Sequence, residues 1–290
     1  MILTRLNTLL SLLKYKVSLA VTFTAITGYI VYTGSIDFQI FKVALGVFIL
    51  AGGSSGLNEY QESMFDSKMP RTMHRPIPAG KISRDHALII SILSILTGIF
   101  ILYITFGIIP ALLGAFNVVW YNLLYTNLKR ITPFAVVPGS LVGAVPVFIG
   151  WTAAGGFIFE STIVFIAFFI FIWQIPHFWL LMLKYGHEYQ QAGFPTINQS
   201  FSPDSLKKII FTWVLATSAF SISIPLFLRN ISLLFFLFIF ALNIVFVLIF
   251  STLSFGNATE FSVKKSFISI NVYMFLFMML LMIKHLIRVC

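Results

Sequence analysis

The sequence predicts an all-α integral membrane protein, a polytopic bundle of about nine transmembrane helices. Of its 290 residues, 59% are hydrophobic and only 10% are charged, whereas roughly a quarter of the residues of a soluble domain are charged. No polar linker longer than a loop divides the chain. We therefore expect residues 1–290 to form a single domain whose surface is largely solvated by lipid.

Nine apolar stretches are long enough to cross a bilayer, which takes about 20 residues of helix. The third and fourth stretches are joined tightly near Gly107. The predicted spans are residues 17–35, 40–60, 86–106, 108–127, 134–153, 160–183, 208–228, 231–252 and 266–285.

The distribution of basic residues predicts the orientation in the membrane. With a cytoplasmic N-terminus, fifteen Lys and Arg residues fall on the cytoplasmic side and only four, Lys42, Arg229, Lys284 and Arg288, fall outside. Such a bias is typical of cytoplasmic loops. An odd number of spans then places the C-terminus outside. Because topology accounts for the net charge of +10, we expect no nucleic-acid partner.

Two further features concern the chain ends. The single cysteine, Cys290, excludes an internal disulfide framework and a zinc site built from cysteines. The first 16 residues contain no small-residue cleavage site, so we expect a retained amphipathic segment along the membrane surface. No transit segment rich in Arg and Ser is visible, and the expected location is a bacterial inner membrane.

Three oxygen-bearing side chains share one helix face at the end of the second span. Asn58, Glu62 and Asp66 are four residues apart, and successive steps of four drift by only about 40° around a helix. Two carboxylates and an amide oxygen make a site suited to Mg²⁺. Glu59 lies off this face and is expected to be structural. The spacing alone leaves open an ordinary charged helix end.

A basic segment follows these carboxylates, with Lys68, Arg71, His74 and Arg75. The planar guanidinium of Arg is suited to bidentate contact with phosphate oxygens. Acidic residues followed by basic ones at a membrane face suggest a metal that binds a diphosphate. The alternative is that these cations only enforce topology.

A second loop on the same side carries Lys184, Glu188 and Tyr189. Lys184 and Glu188 are by default a plain i, i+4 ion pair, but opposite the first cluster they would complete a metal or diphosphate site. In the preceding span, Pro176 frees a backbone carbonyl and kinks the helix, so that His177 can face a cavity. A packing histidine and a haem axial ligand are the other interpretations.

These residues together resemble the membrane-embedded UbiA-type aromatic prenyltransferases, and among them the haem-modifying protoheme IX farnesyltransferases. Asn58, Glu62 and Asp66 match the first motif of the superfamily, and Arg71 to Lys81 resembles the haem-specific run. The ordered resemblance covers roughly residues 14–200, and the last three helices match only in hydropathy. The further matches are Tyr125-Thr126, Lys129-Arg130, Thr132-Pro133, Gly143-Ala144-Val145-Pro146, Gly150-Trp151, Pro176-His177-Phe178-Trp179 and Glu188-Tyr189.

The chain departs from the family pattern at several positions. Lys14-Tyr15-Lys16 stands where the family usually has Lys-Pro-Arg, and His187-Glu188 where it usually has an Asp pair. Lys keeps the charge of Arg but loses its bidentate fork. Gln174 and Thr196 also differ from the usual residues.

The resemblance implies transfer of a farnesyl group from farnesyl diphosphate to a vinyl group of haem B, with addition of water, to give haem O. Mg²⁺ is the implied cofactor, and haem A synthase or another oxidase-assembly protein is a possible partner. The implied catalytic residues are Asn58, Glu62, Asp66, Arg71, Arg75 and Glu188, and the implied metal ligands are Asn58, Glu62, Asp66 and Glu188. The implied substrate-binding residues are Lys16, Lys68, Tyr125, Lys129, His177, Lys184 and Tyr189.

Other functions remain open at this stage. A prenyltransferase acting on an aromatic quinone precursor is the nearest alternative. A small-molecule transporter would need polar residues at mid-membrane and broken helices in paired halves, whereas the charges here crowd one membrane face. A purely structural assembly protein would have no need of Asn58, Glu62 and Asp66 together with the Arg pair.

Overall fold

The computed structural model describes residues 2–228, 231–255 and 262–287, with the side chains of residues 2–4 excepted. Arg229, Arg288 and Cys290 therefore lie outside the described residues. All regular secondary structure in the described ranges is helical. The α-helices are α1 (Ile2–Leu12), α2 (Tyr15–Thr33), α3 (Gln39–Asp66), α4 (Arg84–Phe106), α5 (Ile108–Val119), α6 (Thr126–Leu128), α7 (Val136–Gly139), α8 (Leu141–Ala153), α9 (Ser161–Gln191), α10 (Pro203–Ser223), α11 (Leu233–Phe255) and α12 (Val263–Leu286).

The number of membrane-spanning helices agrees with the prediction. Within the described ranges, eight helical segments are long and apolar enough to span a bilayer, and a ninth is reached if the bent pair α1–α2 counts as one span. The tight joint at Gly107 is confirmed, with φ +86° between α4 and α5. The chain is thus an integral, multi-pass membrane protein.

One predicted boundary is wrong. The loop expected after residue 183 is instead the last two turns of α9, which continues to Gln191. Lys184, Glu188 and Tyr189 therefore project from a rigid helix end. We call the side of the bundle where α3 and α9 end and α4 begins, around Asp66, Arg84 and Gln191, the basic end.

The helices α2 and α8 pack almost backbone to backbone. A Cβ atom on Gly150 would lie 1.7 Å from the Ala25 carbonyl oxygen, and one on Gly28 would lie 2.1 Å from the Val147 carbonyl oxygen. Small residues allow the two helices to approach this closely. Membrane helices depend on such close packing because the hydrophobic effect does not drive their association in lipid. This contact sets the distance between two walls of the cavity described below.

The last three helices are joined by buried hydrogen bonds. Tyr273 Oη of α12 lies 2.6 Å from Ser221 Oγ of α10 and 2.9 Å from Asn243 Oδ1 of α11. In addition, Trp173 Nε1 of α9 donates to the Ile270 carbonyl at 2.9 Å. The sequence characterised these three helices only by hydropathy. In the structure they form one hydrogen-bonded group that is joined to α9 through Trp173.

We expect Gly150→Ala to destabilise the protein by roughly 1–3 kcal/mol, the usual effect of overpacking, because the new methyl group meets backbone atoms that cannot rotate away. Thermal unfolding in detergent measures the effect. Ala20→Val, on an exposed position of α2, is the matched control and should leave the unfolding temperature unchanged. Equal unfolding temperatures for both variants would show that α2 and α8 do not pack this closely.

Candidate functional site

A cavity of about 350 Å³ extends from the basic end into the bundle. Its walls come from α2, α3, α5, α8 and α9, together with a π-helical segment, Trp120–Tyr125, that continues α5. Polar side chains line the part near the basic end. The deeper part is mostly apolar, with residues such as Val47, Leu50 and Ile149.

Three of the four predicted metal ligands lie together in this cavity. Asn58, Glu62 and Asp66 are all buried and line it from one face of α3, as their spacing predicts. The helix continues through Asp66, so the spacing of four residues becomes a row along the wall.

Each of these three side chains has a basic partner. Lys14 Nζ donates to Asn58 Oδ1 at 3.0 Å. Lys129 Nζ lies 2.6 Å from each oxygen of Glu62. Arg75 Nη1 donates to Asp66 Oδ2 at 2.6 Å. Buried carboxylates are costly unless they are paired, and the ion pairs with Lys129 and Arg75 offset that cost for Glu62 and Asp66.

The electrostatics of Arg75 follow from its surroundings. Burial alone would lower the pKa of Arg75, but the nearby Asp66 carboxylate raises it, and the net shift is upward. The guanidinium therefore stays protonated, and the cavity keeps a permanent cation beside its acidic wall.

The segment of residues 67–83 is held against the cavity by α3 and α9. The backbone N–H of Ile77 donates to the buried Glu59 at 2.9 Å, and the backbone N–H of Arg71 donates to Glu188 Oε2 at 3.1 Å. Arg71 Nη2 also donates to Tyr189 Oη at 3.2 Å. Glu59 thus has the structural role expected for it.

Three aromatic rings form a continuous wall beside the polar part of the cavity. Tyr121 and Tyr125 stack with ring centroids 5.9 Å apart, and Phe178 lies 6.2 Å from Tyr125. All three line the cavity. Tyr121 and Tyr125 belong to the π-helical segment, a distortion often found at functional sites. We call Tyr121, Tyr125 and Phe178 the aromatic wall.

Comparison with known proteins assigns the chain. A model described as the UbiA prenyltransferase family matches residues 19–281. The chain belongs to this family. It is 34% identical to the protoheme IX farnesyltransferase of Geobacter sulfurreducens, over 75% of this chain and 80% of that protein. It is 40% identical to that of Bartonella bacilliformis, over 73% and 69%. The protein is therefore a UbiA-type prenyltransferase enzyme.

Solved structures agree on the fold. The chain aligns with a digeranylgeranylglyceryl phosphate synthase at TM-score 0.78 and 15% identity, over 97% of this chain and 98% of that one. It aligns with a UbiA homolog from Archaeoglobus fulgidus bound to GPP and Mg²⁺ at TM-score 0.75 and 14% identity, over 96% and 99%.

The cavity of this UbiA protein includes many but not all of the residues predicted from the sequence. Lys16, Lys68 and Lys184 are exposed and do not line it. Glu188 holds Arg71 and does not join the carboxylates of α3. The predicted residues that line the cavity are Asn58, Glu62, Asp66, Arg71, Arg75, Tyr125, Lys129 and Tyr189.

His177 does not line the cavity either. Its ring lies 4.9 Å from the rings of Trp173 and Phe267, on the side of α9 that faces α12. Pro176 lies inside α9, which continues past it. The position matches the packing interpretation of this histidine.

Sequence reasoning missed Lys14 and Tyr121. Lys14 lies at the bend between α1 and α2. Its φ is +43°, and no other non-glycine residue in the described ranges has a positive φ. Residues other than glycine rarely adopt this backbone conformation, and from it the Lys14 side chain reaches Asn58. Tyr121 could have been found from its spacing of four residues from Tyr125.

We expect Lys14→Gln to weaken binding of a prenyl diphosphate about tenfold or more, because Lys14 lines the cavity beside Asn58 and a hydrogen bond to a charged phosphate oxygen contributes roughly 1.5–3 kcal/mol. Isothermal titration calorimetry in detergent measures the affinity. Lys16→Gln is the matched control and should change it less than about twofold, because Lys16 is exposed outside the cavity. A larger loss of affinity in Lys16→Gln than in Lys14→Gln would show that Lys16, and not Lys14, contacts the diphosphate.

Proposed function

We propose that the protein transfers a farnesyl group from farnesyl diphosphate to a vinyl group of haem B, with addition of water, to give haem O. One observation carries this proposal: a row of paired acids and cations lies at the mouth of a long apolar cavity with an aromatic wall. This arrangement suits a substrate with a diphosphate head and an isoprenoid tail. The choice of haem as acceptor rests on the relatives named protoheme IX farnesyltransferase and on the run Arg71 to Lys81.

The donor set on α3 fits Mg²⁺. Asn58, Glu62 and Asp66 offer hard oxygen ligands on one face. In the described part of the chain, no three His, Cys, Asp or Glu side chains form a group that could hold a metal by themselves. Mg²⁺ would therefore take its other ligands from diphosphate and water, and when bound it would neutralise charge on the leaving group.

The cations of the cavity act on the diphosphate. Arg75 and Lys129 each hold a carboxylate at 2.6 Å, and both can turn to phosphate oxygens once the carboxylates bind metal. Arg71 adds a third cation next to Tyr189. Fixed positive charge stabilises the diphosphate as its negative charge grows, which lowers the barrier to breaking the allylic C–O bond.

The aromatic wall stabilises the farnesyl carbocation that remains after the diphosphate leaves. Aromatic faces attract positive charge, most strongly where water is absent. Tyr121, Tyr125 and Phe178 lie between the polar mouth and the apolar interior, where the first carbon of the prenyl chain would lie. The apolar lining beyond them keeps bulk water from the carbocation until the haem vinyl group has attacked.

The setting of the reaction is part of the proposal. We place the basic end in the cytoplasm, with the protein in a bacterial inner membrane, because cytoplasmic loops carry an excess of Lys and Arg. Both substrates are largely apolar and would reach the site from lipid. The product would pass to a membrane enzyme that consumes haem O, such as haem A synthase.

We expect the purified protein with farnesyl diphosphate, haem B and Mg²⁺ to form a haem heavier by one farnesyl group and one water. Mass spectrometry of extracted haem detects the product. Asp66→Asn should abolish it, because the change removes one of the two negative charges that would hold the metal and leaves Arg75 without its carboxylate partner. Asp204→Asn, at a side chain 84% exposed, is the matched control and should retain full activity.

Failure to prenylate haem by a folded wild-type protein would reject haem as the acceptor. Hydroxybenzoate and naphthoate quinone precursors would then be tested with the same donor. Full activity of Asp66→Asn would reject the metal site on α3 while leaving the acceptor assignment intact.

A further inference from the structure

Two carboxamide side chains interrupt the apolar part of the cavity. Asn117 of α5 and Gln174 of α9 both line it. Asn117 Oδ1 and Gln174 Oε1 are buried, and neither has a hydrogen-bond partner among the residues that the structure describes. A buried acceptor without a donor is costly, and polar groups at membrane depth usually serve a function.

The two carboxamides meet at one turn of α8. Asn117 Nδ2 donates to the Val142 carbonyl oxygen at 3.1 Å. The Gln174 carboxamide packs over the next residue, since a Cβ atom on Gly143 would lie 1.6 Å from Gln174 Nε2. The absence of a side chain at Gly143 is what admits Gln174. Both carboxamides therefore contact adjacent residues on the same turn of α8, and we call the pair the polar site.

This polar site lies one helical turn below the aromatic wall. Asn117 precedes Tyr121 by four residues, and Gln174 precedes Phe178 by four, so each carboxamide lies about 5–6 Å further from the basic end than its aromatic neighbour. The nearby lining residues Val118, Pro146 and Ile149 are apolar. A buried water requires two to four polar partners, which this pair can supply in an otherwise apolar region.

We propose that Asn117 and Gln174 bind the single water molecule that captures the carbocation during haem prenylation. This inference rests on the proposed function. The water donates its two O–H groups to Asn117 Oδ1 and Gln174 Oε1, which leaves its lone pairs free toward the aromatic wall. Binding one water in place keeps other water out while still providing the reactant.

The first carbon of the farnesyl group bonds to the terminal vinyl carbon of haem, and the positive charge moves to the vinyl carbon attached to the porphyrin. The water oxygen forms a C–O bond to that carbon. The extra proton leaves to the released diphosphate, because a carboxamide oxygen accepts hydrogen bonds but is too weak a base to keep a proton. Without the water, the cation loses a proton from the adjacent CH₂ group, and the product is an alkene lighter by one water.

The test is the ratio of the alkene to the hydroxylated haem product, read by mass spectrometry of the same extract. Gln174→Met keeps the length of the side chain but removes the acceptor, and it should raise this ratio at least tenfold. Gln174→Glu, neutral at this depth, retains a carbonyl acceptor and should keep the wild-type ratio. Asn117→Leu is a second acceptor-removing variant and should act in the same direction as Gln174→Met.

The ratio does not depend on how much protein folds, so partial loss of stability does not affect it. An unchanged ratio in Gln174→Met and Asn117→Leu, at whatever turnover, would overturn the inference and leave the carboxamides as cavity-shaping residues. A wild-type protein that forms no prenylated haem at all would instead reject the proposed function, and that result is seen without any variant.

Discussion

The pairing of buried acids with cations is the interaction on which the rest of the site depends. The amide of Asn58 and the carboxylates of Glu62 and Asp66 are buried on α3. Their partners come from three other parts of the chain: Lys14 at the α1–α2 bend, Arg75 in the segment after α3, and Lys129 after α6. Because an unpaired buried charge is expensive, these contacts fix four chain segments around one cavity mouth. In the proposed function, the carboxylates of this row would hold the metal, and their basic partners would contact the diphosphate.

The remainder of the bundle keeps this mouth in position. Backbone contact between α2 and α8, permitted by Gly28 and Gly150, sets one pair of walls. On the opposite side, the hydrogen bonds of Tyr273 and Trp173 hold the last three helices against α9. Phe178 of the aromatic wall and Gln174 both project from α9, which these contacts hold in place. In the proposed reaction a fixed wall matters, because a reactive cation must meet one partner and avoid others.

Sequence reasoning succeeded where spacing within one helix decides the outcome. Asn58, Glu62 and Asp66 share a face because a helix repeats every 3.6 residues, and no other element is needed to place them together. It did not predict that Lys16 and His177 lie outside the cavity. Lys16 is exposed two residues after the bend at Lys14, and His177 lies on the side of α9 that faces α12. Which face of a buried helix meets a cavity depends on its neighbours, and an all-apolar helix carries no pattern that identifies them.

The sequence by itself determined the membrane class, the approximate number and limits of the spans, the family, and the acidic row on α3, because these follow from hydropathy and from contacts at short range along one helix. Only the tertiary structure decided which basic side chains pair with that row and that Glu188 secures Arg71. It also decided that Asn117 contacts Val142 and Gln174 contacts Gly143, on the same turn of α8. These contacts join residues that are distant in the chain, and the packing of several helices at once sets their distances.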